Sequence, residues 1–282
     1  MQLSVVIIAF NEEANIGRTL KSVQPLVADG KGEIIVVDSG STDRTVEIAN
    51  SLGAKVFVEE WKGFAAQKNS AIDKATGDWI LSLDADEELP DELRRALDLT
   101  LVFMREKSLP NPDGEWLHNF VGIKDPEHTV GFRIWRRNFF LGKPLRWGGY
   151  YPDPKLRLAR KEVARFEPRI VHEDIALPTG AIAEIWSPIL HHSYPTLSDY
   201  IEHMNRYSSL GAEMVAAKGR VRFSFANIVL RPLFSFIYNY FFRLGFLDGR
   251  EGLLLHLYHA VYVSWKYAKA WELSGKSKAM SS

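Results

Sequence analysis

Residues 3 to 9 (LSVVIIA) form a β-branched apolar run with no alternation, and it meets the polar cluster Asn11-Glu12-Glu13. A run of that length without a polar face predicts a parallel strand covered on both sides. The pattern after it predicts a helix from about Glu12 to Val23, with acids in its first turn and Pro25 ending it. The alternation then repeats. Residues 33–37 (EIIVV) read as a second buried strand, and Ser41-Thr42-Asp43 precede a helical stretch that stops at Gly53 in the position of a left-handed cap. Lys55 to Val58 read as a third strand, Phe64 to Ala75 as a helix closed by Gly77, and residues 78–83 (DWILSL) as a fourth strand. Short strand–helix units of this kind predict an α/β fold with a parallel sheet and right-handed crossovers. In such sheets ligands bind beyond the carboxyl ends of the strands.

From about 103 to 195 the chain changes to Gly, Pro and Trp-rich segments with short strand-like runs at Gly131 to Arg136, Lys155 to Leu158 and Ile182 to Trp186. This predicts an irregular mixed half that completes one domain over 1–195, followed by a helical region over 196–282. The span 221–271 holds 14 of the 34 aromatic residues. Its longest stretches without Asp, Glu, Lys or Arg are Pro232 to Phe242 and Gly252 to Trp265. The second would extend roughly 21 Å as helix, short of a hydrocarbon core of about 30 Å, so neither spans a bilayer alone. Residues 201–282 carry 11 basic and 5 acidic side chains, and Arg231, Arg243, Arg250, Lys266 and Lys269 interleave with Phe, Tyr and Trp. Cations beside interfacial aromatics suit helices lying on an anionic membrane surface. A helical core or an oligomer interface is the alternative, and the oligomeric state is left open.

Composition narrows the classes further. With 46% hydrophobic and 25% charged residues in 282, the chain is globular rather than disordered or collagen-like. It has no cysteine, which excludes a disulfide framework, a thiolate zinc site and a cysteine nucleophile. Net charge is zero, so a uniformly basic nucleic-acid binder is not expected. The balance conceals an acidic front, with 12 basic and 19 acidic residues in 1–110 against 23 and 16 in the remainder. Met1-Gln2-Leu3-Ser4 lacks the basic start and cleavage site of a secretory signal, so a cytoplasmic protein is expected.

The strand ends carry the chemistry. The sequence has no G-x-G-x-x-G after the first strand and no G-x-x-x-x-G-K-[ST], so a dinucleotide dehydrogenase and a P-loop enzyme lose their phosphate-binding device. Asp38 and the Asp84-Ala85-Asp86 triplet instead put carboxylates at the ends of the second and fourth strands. Two carboxylates one residue apart can share Mg²⁺ or Mn²⁺, which takes oxygen ligands from protein and phosphate together. The alternative is an acidic start to a helix, Asp84 to Glu88 and then Pro90-Asp91-Glu92. Asp38 either accepts a hydrogen bond from a base N–H or caps the turn Asp38-Ser39-Gly40-Ser41. His172-Glu173 is no zinc-peptidase motif, because H-E-x-x-H requires histidine where Ala176 stands.

The segments SVVIIAFNEEANI, VVDSGSTDRT and WKGFAAQKNSAIDKATGDWILSLDADEEL together resemble the nucleotide-sugar-binding half of inverting family 2 glycosyltransferases of the GT-A fold. GGYYPDPKLRL, VHED and HHSYPTLSDYIEHMNRY resemble the bacterial lipopolysaccharide-core glucosyltransferases within that family. The resemblance implies a GT-A domain over 1–195, with 1–102 binding the nucleotide sugar and 103–195 facing the acceptor. It implies that Phe10, Asn11 and Glu13 line the nucleotide pocket, that Asp38 contacts uracil and that Lys68 lies near the nucleotide. Asp84 and Asp86 match the family's D-x-D, with Asp86 the direct ligand of a Mg or Mn ion.

An inverting transfer is a single displacement, so a carboxylate that is not bound to metal must take the acceptor proton. The place where the family carries its base points to Glu173, with Asp174 as the second choice. His191 or His192 would add a ligand to metal or diphosphate unless the pair is structural. Arg157 would pair with a phosphate or brace the Glu173 loop. Trp147 and Tyr150, with Gly148 and Gly149, form an acceptor wall or else a glycine-hinged hydrophobic turn. The expected reaction moves a hexose, glucose first among candidates, from a UDP-sugar to a hydroxyl of a lipopolysaccharide core or other lipid-linked glycan. The expected place is peripheral, on the cytoplasmic face of the inner membrane. A polyprenyl phosphate or peptide acceptor, or a nucleotide-sugar-binding module without turnover, are the alternatives.

Overall fold

The computed structural model describes residues 2–109, 113–167, 175–177, 179–219 and 221–279. The chain falls into two compact units, Met1–Arg136 with Asp153–His191, and Arg137–Pro152 with His192–Ser282. In the first unit, strands β1 (Leu3–Ala9), β2 (Gly32–Asp38), β3 (Lys55–Val58) and β4 (Trp79–Asp84) alternate with helices α1 (Ile16–Val27), α2 (Thr45–Ser51) and α3 (Phe64–Lys74). These four strands are parallel neighbours in the order β3-β2-β1-β4. The chain continues through β5 (Glu87–Glu88), α4 (Asp91–Glu106), α5 (Asp113–His118), β6 (Val121–Gly122), β7 (Thr129–Phe140), β8 (Lys143–Pro144) and β9 (Lys155–Arg160). A short antiparallel pair, β10 (Arg165–Phe166) and β11 (Ile175–Ala176), precedes β12 (Ala181–Tyr194). The large sheet runs on past β4 as β9-β7-β12-β5, with β9 antiparallel to both β4 and β7.

The uniform apolar runs are explained by cover on both faces. Leu3, Val5, Ile7 and Ala9 of β1 join Ile16, Leu20 and Val23 of α1 and Leu93 and Leu97 of α4 in one core cluster, while Val6 joins Ile35, Val37 and the Ala71-Ile72 step of α3 in another. Gly53 follows α2 at φ 80°, the left-handed conformation expected at that stop.

The first helix differs from its expected span. It begins at Ile16, has no acid in its first turn, and runs through Pro25 to Val27. Glu12 and Glu13 stand outside it because their backbone N–H groups donate to the side chains of Thr45 and Asp43, which holds the chain in a turn. Proline costs one helical hydrogen bond, but here it stands in the last turn and the ladder resumes when the Ala28 N–H reaches the Gln24 carbonyl.

The second unit contains α6 (Leu197–Ala217), α7 (Arg231–Ile237) flanked by wide π-helical turns at Ala226–Leu230 and Tyr238–Phe242, and the long α8 (Gly249–Ala279). Its core is Phe140, Leu145, Tyr200 and Leu255. Among the described residues no helix is long and apolar enough to cross a membrane.

Candidate active site

The strand order turns back on itself between β1 and β4, and in open α/β sheets ligands occupy the crevice at such a point. The register determines what stands there. Ala9 pairs with Asp38 and Ile8 with Asp84, so the three strands end almost level.

The loops after β1 and β2 are stitched by side chains. Asn11, at φ 55°, donates its N–H to the Ser41 hydroxyl at 2.8 Å and accepts the Thr42 N–H at 2.9 Å. Glu13 accepts the Arg44 N–H at 3.0 Å. Asp38 is buried; its carboxylate accepts the N–H groups of Gly40 and Ser41 at 2.9 and 2.8 Å and the Ser41 hydroxyl at 2.5 Å. It therefore caps the turn it begins, one of the two readings its sequence position allowed. Phe10 projects from the same loop, 57% exposed.

At the end of β4 a charged cluster replaces the acidic helix start. Asp84 accepts from the Lys68 ammonium at 2.9 Å and from the Arg157 guanidinium at 2.6 Å, and both cationic residues are buried. Lys68 is thus no solvated helix residue. Arg157 also reaches Glu87 at 2.5 Å, and the other oxygen of Glu87 accepts the Asp84 N–H at 3.0 Å. Arg136 lies 3.6 Å from Glu87 and bonds Asp153 at 2.7 Å. Asp86 faces the imidazole of His191, Oδ2 to Nε2 at 3.3 Å, while the Thr19 hydroxyl fixes the intervening Ala85 carbonyl at 2.7 Å.

These contacts set the protonation states. Burial works against ionisation of Asp84, but Arg157, Lys68 and Arg136 hold its carboxyl well below the usual range. Burial likewise opposes Asp86, and His191 beside it brings its pKa down in spite of the Asp84 charge. For Arg157 burial disfavours the cation, yet Asp84 and Glu87 raise its pKa above the ordinary arginine value. Glu12 shows the opposite balance. Burial and repulsion from Asp86, Asp43 and Asp84 lift its carboxyl, against a hydrogen bond from Asn15.

No closed cage for a cation forms, since among the described residues no three His, Asp or Glu side chains converge as a metal site. The donors present fit a shared site instead. Asp86 offers a carboxylate beside an imidazole, and Mg²⁺ or Mn²⁺ commonly takes one or two carboxylates and completes its shell with water and substrate phosphate.

The remaining expected residues divide as follows. Glu173 and Asp174 lie outside the described residues. Trp147 and Tyr150 belong to the second unit, where the Trp147 N–H donates to Asp248 at 3.0 Å and the Tyr150 ring lies 5.7 Å from His256. Burial raises the Tyr150 hydroxyl pKa. Gly148 has φ 66° and lies so close to His256 that a Cβ there would fall 2.1 Å from Nε2, so this turn depends on glycine. His192 is also in the second unit, its ring stacked on Phe139 at 4.8 Å.

Glu87, Arg136 and Asp153 join the site without a sequence motif that marks them, and Glu12, part of the polar cluster after β1, has no role there that its position predicts. The available signal was Arg136 and Arg157 inside strand-like runs, since an arginine in a buried strand requires an acid opposite it.

Residues 4–99 match the family model described as Glycosyl transferase family 2. An uncharacterized glycosyltransferase of Rickettsia bellii is 31% identical over 97% of this chain and 87% of its own length. A lipopolysaccharide core biosynthesis glycosyltransferase, LpsC of Rhizobium meliloti, is 29% identical over 96% of this chain and 93% of its own. Among solved structures, a mannosyltransferase from Pyrobaculum calidifontis in complex with GDP-Man and Mn²⁺ aligns over 99% of this chain and 87% of its own, at 17% identity and a TM-score of 0.48. With a relative above 30% identity aligned along nearly the whole chain and the family's own pattern over the first four strands, this protein belongs to glycosyltransferase family 2.

Proposed function

We propose that the protein is a divalent-cation-dependent, inverting hexosyltransferase that moves a sugar, glucose first among candidates, from a UDP-sugar to a hydroxyl of a lipopolysaccharide-core or related lipid-linked glycan. The observation that carries this reading is the charge pairing at the end of β4. Lys68, Arg157, Arg136 and Lys155 each have a carboxylate partner there, Asp84, Glu87 or an Asp153 that Arg136 and Lys155 share, so every one of these cations is already engaged before a diphosphate arrives. Asp86, with His191 beside it, is the carboxylate that would hold Mg²⁺ or Mn²⁺, which supplies the charge that neutralises the leaving diphosphate.

The chain's own residues do the rest. Phe10 would stack on the nucleotide from the loop after β1, Asn11 and Glu13 shape that loop, and Asp38, which holds the turn after β2, is the residue assigned to uracil. Lys68 and Arg157 keep Asp84 ionised and fixed. As the acceptor oxygen bonds to the anomeric carbon, the carbon–oxygen bond to the diphosphate breaks and its electron pair leaves with UDP. Glu173 receives the acceptor proton, with Asp174 as the second choice, and Trp147 and Tyr150 are assigned to the acceptor. The full-length similarity to LpsC supports a core-oligosaccharide acceptor, and such an acceptor places the enzyme at the cytoplasmic face of the inner membrane. The test is the anomeric configuration of the transferred sugar, read by NMR on the product of a UDP-glucose reaction. An inverted β-linkage is expected, and a retained α-linkage would overturn the single-displacement mechanism.

A further inference from the structure

One surface of the second unit is not used by any step above. Between Phe223 and Leu247 thirteen large apolar side chains are exposed, among them Phe225 at 62%, Phe234 at 68% and Phe242 at 76%. Isolated exposed apolar residues are ordinary, but a contiguous run of this kind marks an interaction surface. The inner side of the segment is already occupied. The Ser264 hydroxyl of α8 donates to the Ile228 carbonyl at 2.9 Å, and Arg231 bonds the Tyr267 hydroxyl and lies over that ring. Its outer side carries a ladder of rings, Phe234 on Tyr238 at 6.0 Å and Tyr238 on Phe242 at 6.4 Å, four residues apart along one helical face.

The charged residues within this segment have one sign. Residues 221–247 contain no Asp or Glu, and Arg222, Arg231 and Arg243 are exposed, as is Arg250 just beyond, which lies 3.9 Å from Glu251. The nearest acid, Asp248, is buried and accepts the Arg146 and Trp147 N–H groups. We propose that this face docks on an anionic lipid bilayer, with the Phe234–Tyr238–Phe242 ladder at headgroup depth and Arg222, Arg243 and Arg250 on lipid phosphates. The proposal rests on the reading above only for the reason to be at a membrane; what it adds is the surface that does the docking. A second copy of the chain fits this face poorly, because a two-fold contact across 221–247 would bring Arg222, Arg231 and Arg243 together over a span that holds no acid. Helices with aromatics on one side and arginines beside them, none among the described residues long and apolar enough to span, have the form of an in-plane interfacial anchor.

The test is co-sedimentation of the full-length protein with vesicles of phosphatidylcholine alone and of phosphatidylcholine mixed with phosphatidylglycerol. Binding to the anionic vesicles, weakened by added salt, is expected. The double variant Phe234→Ser, Phe242→Ser should bind roughly tenfold or more weakly for each ring removed, and Arg222→Gln with Arg250→Gln about fivefold more weakly for each charge. Both variants should keep the wild-type affinity for UDP, which shows that they are folded. Wild-type protein left in the supernatant with anionic vesicles, or vesicle binding unchanged in both variants, would overturn the proposal. So would a wild-type dimer that the Phe variant converts to monomer while vesicle binding is absent, which would make a second copy the occupant. Because vesicle binding is read without nucleotide, its failure is distinct from failure of the donor-site reading, which UDP titration reports separately.

Discussion

Replacing Glu87 by Gln tests the cluster at its base. Glu87 has no solvent exposure, and it receives Arg157 at 2.5 Å, the Asp84 N–H at 3.0 Å and Arg136 at 3.6 Å. Glutamine keeps the shape and an acceptor but removes the charge, leaving two arginines with one counter-ion fewer. Removing one partner from a buried ion pair costs about 3–5 kcal/mol. Arg157 retains Asp84 and Arg136 retains Asp153, so the lower end, about 3 kcal/mol, applies. At about 2–4 °C per kcal/mol for a chain near this size, scanning calorimetry should show the midpoint lowered by about 6–12 °C. Nucleotide affinity should fall with it, because Glu87 holds both the Asp84 backbone and the arginine that orients the Asp84 carboxylate. A midpoint within about 2 °C of wild type, with UDP affinity intact, would refute the claim that this buried charge organises the site.

Three further outcomes are expected. Ser41→Ala removes the hydroxyl that joins Asp38 to the Asn11 N–H and should destabilise the protein by about 1–3 kcal/mol in urea unfolding, with weaker UDP binding; an unchanged midpoint would show the two loops are held otherwise. For Glu33 burial pushes the pKa up, but Lys55, Thr76 and Ser4 overcome it and bring the carboxyl from 4.5 to about 2. That contribution is present above pH 4.5 and lost as pH falls toward 2, so Glu33→Gln should flatten the stability curve across that window, and an unaltered curve would contradict the assignment. Glu173→Gln should keep donor binding and lose roughly 10²- to 10⁴-fold in transfer rate, whereas near-normal turnover would move the base to Asp174.

The parallel front of the fold was legible because each strand there is a short apolar run ended by polar residues, and burial on both faces leaves no alternation to confuse it. The start of α1 was not, because Glu12 and Glu13 are held out of the helix by Thr45 and Asp43, residues some thirty positions away in the chain. Asp84, Asp86, Lys68, Arg157 and His191 were each visible singly as residue types that bind cations or phosphates. Their pairing was hidden. Lys68 and Arg157 meet on one carboxylate only because β9 lies antiparallel against β4 and α3 packs beside them, a contact set by sheet order rather than by spacing. Glu87 went unnoticed for the same reason, since its partners Arg136 and Arg157 are about fifty and seventy residues further along the chain.

The central claim is that Asp86 holds a divalent cation for a UDP-sugar. Calorimetric titration with UDP-glucose, in Mn²⁺ and in EDTA, on the wild type and on Asp86→Asn, tests it without knowledge of the acceptor. The account predicts binding to the wild type that depends on Mn²⁺ and is lost in the variant. Equal affinity in Mn²⁺ and EDTA, or equal affinity of the two proteins in Mn²⁺, would contradict it.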